Sequence, residues 1–237
     1  MRAEAPVHYL HDAAMGIEVI LCRDSSLSYP LHTHASTFTA GLVLSGEIRF
    51  ASGGACRALG PGRVFLVPPH TPHRIEPDGP YSLLCLCRSV GGWAEENRLA
   101  SLLSAVPELD ELRPQVFLLQ SLLAGCSAPP LPPLIERAER RLRQSPEAEL
   151  RVGDLARAAY MSESHFIRSF HKAVGLTPHR FQIQNRVRKA QRLLEGGTSA
   201  AEAALAAGFC DQSHLTRHFR RLLGLTPAAY GSAALLR

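Results

Sequence analysis

Short apolar runs separated by turn residues fill the first ninety positions of the chain. Examples are residues 18–22, 39–44, 47–50, 64–67 and 81–87, with segments rich in Gly, Pro and Ser between them. Short strands bounded in this way are typical of a small antiparallel barrel or sandwich. Beyond residues 91–92 the apolar positions adopt helical spacing, which predicts helices at 93–106 and 115–124.

The first of these helices carries an apolar stripe of Leu99, Leu102, Leu103 and Val106. Such a stripe either packs against the rest of its own chain or joins two copies of the chain. The pattern alone does not decide between the two. We therefore expect this stripe either to cover the open end of the barrel or to form a homodimer interface.

The second half of the chain contains an internal repeat. Residues 160–178 align with residues 209–227 at a constant offset of 49, and a match of this length indicates that one structural unit is used twice. The identical pairs are Ser164/Ser213, His165/His214, Arg168/Arg217, Phe170/Phe219, Gly175/Gly224, Leu176/Leu225, Thr177/Thr226 and Pro178/Pro227.

Capping residues predict the same local structure in both copies. Ser162 is placed to cap a helix over 163–174, after a short helix at 155–159. Ser199 with Glu202 forms a capping box for a helix through residue 207, and Asp211 caps a helix that runs to Gly224. A short helix, a tight turn and a second helix make a helix-turn-helix, which inserts its second helix into the major groove of DNA.

A predicted helix over 178–195 joins the two units. At 1.5 Å per residue it is about 27 Å long. This length is close to one turn of B-DNA, roughly 34 Å. We therefore expect one chain to contact two successive major-groove segments on one face of a duplex.

The distribution of charge divides the chain into the same two halves as the strand-like and helical patterns do. Residues 134–237 hold 17 Lys and Arg against 9 Asp and Glu, a net charge of +8, whereas residues 1–133 carry −3. A basic half favours a polyanionic partner, nucleic acid before anionic membrane. The predicted domains are a barrel at 1–90, a helical segment at 91–125, a proline-rich linker at 126–133 and a DNA-binding domain at 134–237.

Two exclusions follow from composition. No window approaches about 18 consecutive apolar residues, which excludes a transmembrane helix, and the N-terminus lacks the pattern of a secretory signal. Six scattered cysteines without an export signal are expected to be reduced thiols. The prediction is a cytoplasmic protein with no membrane association.

Apolar residues four apart mark the inner face of each recognition helix, Phe166 and Phe170 in the first and Leu215 and Phe219 in the second. The opposite faces are the predicted DNA contacts. Arginine pairs bidentately with guanine and glutamine with adenine, so Arg168, Arg217 and Gln212 are the expected base contacts. The full predicted set is Ser164, Ile167, Arg168, His171, Gln212, Ser213, Thr216, Arg217 and Arg220.

The stretch from residue 204 to residue 230 closely resembles the signature of the AraC/XylS transcription regulators. The resemblance covers about 100 residues from Leu134 onward. It implies an all-α domain of seven helices with two helix-turn-helix units. It also implies binding to promoter DNA, contact with RNA polymerase and a regulator, usually an activator, that responds to a small effector.

Three histidines are the candidate chemistry of the first half. His32 and His34, two apart on a predicted strand, are expected to point to one face, and His73 lies in a second histidine-containing motif. Three imidazoles can hold Zn²⁺, Ni²⁺ or Cu²⁺. They can equally bind an organic effector by hydrogen bonds or lie satisfied in the barrel wall.

This half resembles the cupin family in the form that serves as the sensor of AraC-type regulators. The cupin motifs supply three histidines and a glutamate, and His32, His34 and His73 match the histidine positions, whereas Thr39 stands at the glutamate position. We therefore expect an effector or metal site and no enzyme, because Thr39 departs from the enzyme pattern and no nucleophile–base constellation is present. The alternative is a metal-dependent cupin enzyme with a DNA-binding accessory domain.

Overall fold

The computed structural model describes residues 7–12, 14–90, 92, 95–127, 130–223 and 226–232. The chain forms two compact units, one within residues 1–128 and one within residues 129–232. Parts of the predicted segments lie outside the described residues. These parts are 1–6 and 13 of the barrel, 91, 93 and 94 of the helical segment, 128 and 129 of the linker, and 224, 225 and 233–237 of the DNA-binding domain.

Two antiparallel sheets form the described β-structure of the first unit. One has the strand order β1-β2-β9-β4-β7 and the other β3-β8-β5-β6. The predicted N-terminal all-β region is therefore confirmed. The strands are β1 (Val7–Asp12), β2 (Ile17–Ser25), β3 (Tyr29–His32), β4 (Thr37–Ser45), β5 (Ile48–Ser52), β6 (Ala55–Leu59), β7 (Val64–Val67), β8 (His73–Pro77) and β9 (Tyr81–Ser89).

Apolar side chains fill the space between the two sheets. Val43, Phe65 and Leu83 from the larger sheet pack with Ile48 and Ile75 from the smaller one. The Phe65 ring lies directly over the backbone of Gly41, and a Cβ built at Gly41 would overlap that ring. The lack of a side chain at Gly41 therefore leaves the room that the Phe65 ring occupies in the interior.

Three helices cover the other face of the larger sheet. They are α1 (Glu96–Ser104), α2 (Pro107–Asp110) and α3 (Arg113–Ala124). Leu99, Leu103 and Val106 are at most 1% exposed and belong to one core cluster with sheet residues such as Val19. The stripe therefore packs against its own sheet. Leu99, Leu103 and Val106 are therefore not accessible to a second copy of the chain, Leu102 is partly buried, and the homodimer stays a prediction.

The described part of the second unit is all-α, which confirms the predicted fold class. Its first and central helices are α4 (Pro133–Gln144) and α7 (Pro178–Glu195), and α7 packs against α4 and against the second helix of each repeat. The remaining helices are α5 (Val152–Ala158), α6 (Glu163–Val174), α8 (Ala200–Ala206), α9 (Gln212–Leu223) and α10 (Pro227–Ser232). Within the described residues, no helix has both the length and the apolar character needed to cross a bilayer.

Local caps set the helix boundaries of the second unit. The Ser162 hydroxyl accepts a hydrogen bond from the backbone N–H of His165, and Ser199 and Glu202 form the predicted capping box. The Asp211 carboxylate accepts from the backbone N–H of His214 at 2.7 Å. Each cap satisfies backbone donors that the first helical turn leaves without an intrahelical partner.

Candidate functional site

The first recognition helix, α6, is anchored by two aromatic side chains. Phe166 and Phe170 are completely buried, and the Phe170 ring lies 5.6 Å from that of Phe181 on α7. Burial of these rings turns the opposite face of α6 to solvent. On that face the predicted contacts Ser164, Arg168 and His171 are exposed, and Ile167 is half-buried.

The second recognition helix, α9, repeats the arrangement with a more polar outer face. Leu215 and Phe219 are completely buried. Four predicted contacts on the other side are exposed, and Thr216 is half-buried with its hydroxyl donating to the Gln212 carbonyl at 2.8 Å. A shallow open concavity is lined by Gln212, Ser213, Thr216, Arg217, Arg220 and Arg221.

The outer face of α9 carries uncompensated positive charge. Arg217, Arg220 and Arg221 are exposed, and none of them forms an ion pair within the described part of the chain. Burial lowers the pKa of the neighbouring His218, and the nearby His214 and Arg217 lower it further. The three guanidinium groups supply the positive charge of this face.

The turns of the two repeats differ in length by one residue. Tyr160 in the first turn and Gly208 in the second have left-handed backbones, with φ of 56° and 86°. They are 48 positions apart, whereas the sequence repeat has an offset of 49. Consequently Phe209 is buried, whereas Tyr160, its partner in the sequence alignment, is 90% exposed.

Two polar side chains of α7 hold the loop between α4 and α5. The buried Gln182 donates to the carbonyls of Pro146 and Ala148, at 3.1 and 2.7 Å. Arg186 donates from Nε to the same Pro146 carbonyl at 2.7 Å. Sequence analysis missed this role, because nothing local to α7 indicates a backbone partner 36 or 40 residues away.

The same loop contacts the second helix-turn-helix. Lys189 pairs with Glu147 at 2.9 Å, and this hydrogen bond lowers the pKa of the Glu147 carboxyl. A Cβ at Gly208 would lie 2.7 Å from the Glu147 Cα and 2.9 Å from its carbonyl oxygen. The loop therefore packs on α7 and on the turn that precedes α9, and we call it the clamp loop (residues 145–151).

The three predicted effector histidines lie together in the first unit. His32 ends β3, His73 begins β8, and the two residues are directly opposite each other in the β3–β8 pair. His34 lies two residues beyond His32, outside β3 rather than on the strand as predicted. One ring nitrogen of each histidine lies within 4.8 Å of the other two.

Backbone carbonyls orient two of these rings. His32 donates from Nδ1 to the Pro30 carbonyl at 2.8 Å, and His73 donates from Nδ1 to the Thr71 carbonyl at 3.0 Å. When these rings are neutral, Nε2 is therefore the nitrogen that carries the lone pair. Histidines that bind metals usually hold the second nitrogen in this way.

Thr39, at the position where cupins carry a glutamate, supplies no carboxylate. It is buried, and its hydroxyl is hydrogen-bonded with the Cys87 thiol at 3.4 Å. Burial raises the pKa of the Cys85 thiol on the same strand, β9. A thiol with a raised pKa is a poor nucleophile.

Two family descriptions match this chain. The AraC-like ligand binding domain matches residues 15–163, and the Helix-turn-helix domain matches residues 155–233. The chain is 42% identical over 60 residues to the uncharacterized HTH-type transcriptional regulator YbfI of Bacillus subtilis (strain 168). That segment is 25% of this chain and spans 22% of the length of YbfI.

The fold is similar to solved structures of ToxT. The crystal structure of ToxT from Vibrio cholerae O395 aligns with 91% of this chain and 97% of its own, with a TM-score of 0.59 and 12% identity. Unsaturated fatty acid bound ToxT from Vibrio cholerae strain SCE256 aligns with 98% of this chain and 97% of its own, with a TM-score of 0.57 and 12% identity.

Proposed function

Because the chain belongs to the AraC/XylS family of transcriptional regulators, we propose that it binds promoter DNA with sequence specificity and responds to a small effector. The observation that carries the proposal is the duplicated recognition helix. Both α6 and α9 bury an apolar face and turn polar side chains outward, several of them arginines on α9. Recognition helices in helix-turn-helix proteins place such a face in the major groove.

The duplex selected by the full-length chain from a random DNA pool tests this proposal. A preferred sequence with two segments about one helical turn apart is expected. Binding without any sequence preference contradicts the proposal. Arg217→Ala is expected to relax the preference in one segment at a cost of about 1–3 kcal/mol.

Arg221→Ala is the matched control for this experiment. Arg221 lines the same concavity as Arg217, and we assign it a phosphate contact. Its removal is expected to weaken binding to all duplexes alike, because phosphate contacts position the protein without selecting bases. A change of base preference in Arg221→Ala would contradict the assignment of separate roles.

We further infer that His32, His34 and His73 bind a divalent transition-metal ion, Zn²⁺, Ni²⁺ or Cu²⁺, as the effector. Their donor atoms are close enough to share one ion, and the carbonyl partners of His32 and His73 fix the ligating tautomer. A bound ion acts as an added cross-link between β3, β8 and the segment after β3. Neutral imidazole is the ligand that these metals favour.

Thermal unfolding with added Zn²⁺, Ni²⁺ or Cu²⁺ tests the metal proposal. A ligand at 100 times its Kd stabilises by about 2.7 kcal/mol, so the barrel transition is expected to move up by several degrees. His73→Ala should abolish the shift, and His8→Ala, a histidine on β1, should keep it. If no metal moves the transition, the metal proposal is wrong and an organic effector is the next candidate to test.

We propose that effector occupancy shifts the population of DNA-competent molecules and that the chain activates transcription with RNA polymerase. The usual role of the family supports activation. Transcription in vitro from the selected promoter, with and without metal, tests the direction of regulation. Turnover by the metal-loaded chain would instead support the alternative of a cupin enzyme, which the absence of a carboxylate at Thr39 disfavours.

A further inference from the structure

We propose that α4 carries a separate binding site for the DNA backbone, outside both helix-turn-helix units. The proposal rests on the proposed function, since it names a further contact with the same partner. The site is an open concavity on the surface of the second unit. Its lining is Arg137, Arg140, Arg141, Gln144 and Ser145.

Helical spacing explains why these side chains meet. Positions 137, 140, 141 and 144 are three or four residues apart and therefore neighbour one another on one face of a helix. That face is exposed, whereas Ile135, Ala138 and Leu142 are buried on the other. The sequence thus places three guanidinium groups and one amide on a single solvent-facing stripe.

Intrahelical ion pairs compensate only part of this charge. Arg140 pairs with Glu136 at 2.8 Å, and Arg143, beside the site, pairs with the buried Glu139 at 3.1 Å. Within the described part of the chain, Arg137 and Arg141 form no ion pair. The concavity therefore has two uncompensated guanidinium groups, which favour an anion.

The chemistry of the lining favours phosphate. Guanidinium, amide and hydroxyl groups are the side chains that contact phosphate oxygens in protein–DNA complexes. No apolar side chain lines the concavity, whereas the core of a protein–protein interface is rich in apolar and aromatic residues. An acidic protein surface is therefore the weaker candidate.

The neighbours of α4 favour the duplex as the source of that phosphate. α4 packs against α6, the first recognition helix, and against α7. A duplex whose major groove receives α6 has its flanking strands close to α6. The stripe lies on the side of α4 away from its buried face, so we expect the concavity to contact phosphates beyond the segment that receives α6.

The salt dependence of binding by the full chain tests the site. The probes are the duplex selected from the random pool and a 30-base-pair duplex lacking the preferred sequence. Each lost phosphate contact reduces the slope of log affinity against log salt by about 0.9. Arg137→Ala with Arg141→Ala is expected to reduce the slope by about 1.8 on both probes and to leave the base preference unchanged.

Two matched variants control for net charge and folding. Arg57→Ala with Arg63→Ala removes the same charge from exposed positions in the first unit and should leave the slope unchanged. Arg137→Lys with Arg141→Lys keeps the charge and should keep most of the slope. Unchanged thermal unfolding of the alanine pair shows that any effect on binding is not a loss of structure.

The outcomes that would contradict this proposal can be told apart from failure of the proposed function. An unchanged slope in the alanine pair excludes the phosphate contact, and an unchanged slope with reduced RNA-polymerase-dependent transcription assigns the concavity to a protein partner instead. A wild-type chain without any base preference contradicts the proposed function. The slope measured on the non-selected duplex still decides the α4 site in that case.

Discussion

Gly208 is a close contact between the clamp loop and the second helix-turn-helix, so Gly208→Ala probes their coupling. The backbone there is left-handed, with φ of 86°, and an alanine pays about 1–2 kcal/mol for that conformation. The new methyl group would also lie 2.7 Å from the Glu147 Cα. Overpacking of this kind costs about 1–3 kcal/mol. The expected total is therefore about 2–5 kcal/mol.

Gly197→Ala separates the two contributions. Gly197 has nearly the same backbone conformation, with φ of 85°, but a methyl group added there would have no atom within 4 Å. This control should lose only the conformational part, about 1–2 kcal/mol. The difference between the two variants in free energy of unfolding then measures the packing of the clamp loop against the turn.

Urea unfolding followed by far-ultraviolet circular dichroism measures both variants, because the second unit is helical. Selection from the random DNA pool adds a functional result. Gly208→Ala should weaken the base preference in the segment contacted by α9 and retain that in the segment contacted by α6. Equal destabilisation by Gly208→Ala and Gly197→Ala would refute the idea that the clamp loop supports the turn.

Three further predictions concern single contacts. Asp211→Ala should lower the free energy of unfolding by about 1 kcal/mol through loss of the α9 cap. Asp211→Asn should retain most of the stabilisation by this cap, and equal losses in the two variants would contradict a capping role. The folded-state pKa of His218 lies below its ordinary value of 6.5, so its contribution to stability is full above pH 6.5 and is lost as pH falls. Unfolding of the second unit between about pH 7.5 and 5.5 should therefore depend less on pH in His218→Gln than in the wild type, and an identical dependence would exclude this histidine as a source. Gly41→Ala should lower the melting temperature of the barrel by displacing Phe65, at about 1–3 kcal/mol, whereas Gly60→Ala, with open space around it, should have little effect.

The parts of the fold predicted most accurately depend on interactions within a few residues. The predicted α6 at 163–174 and α7 at 178–195 match the observed helices, because Ser162 and Thr177 cap their own helices. The apolar runs do not include β3 or β8, since both strands are short and hold few apolar residues, and only the histidine spacing suggested a strand near residue 32. Their pairing is nonlocal, and it is what places His32 opposite His73.

Tertiary partners account for what the sequence could not indicate. The stripe on α1 shows which face is apolar, but its partner is clear only from the burial of Leu99 and Leu103 against the sheet. The repeat alignment likewise pairs Tyr160 with Phe209. The backbone instead gives Tyr160 the role of Gly208, because the second turn is one residue longer.

The clamp loop is held through its main chain. Gln182 and Arg186 donate hydrogen bonds to main-chain carbonyl oxygens, which every amino acid possesses. These hydrogen bonds therefore fix the backbone of the loop and do not depend on most of its side chains. Related chains can therefore diverge at Ala148 without losing the attachment. They cannot exchange Gln182 for glutamate, which would set a carboxylate against two carbonyl dipoles. The side chain that holds this loop thus lies 36 residues away, on a different helix.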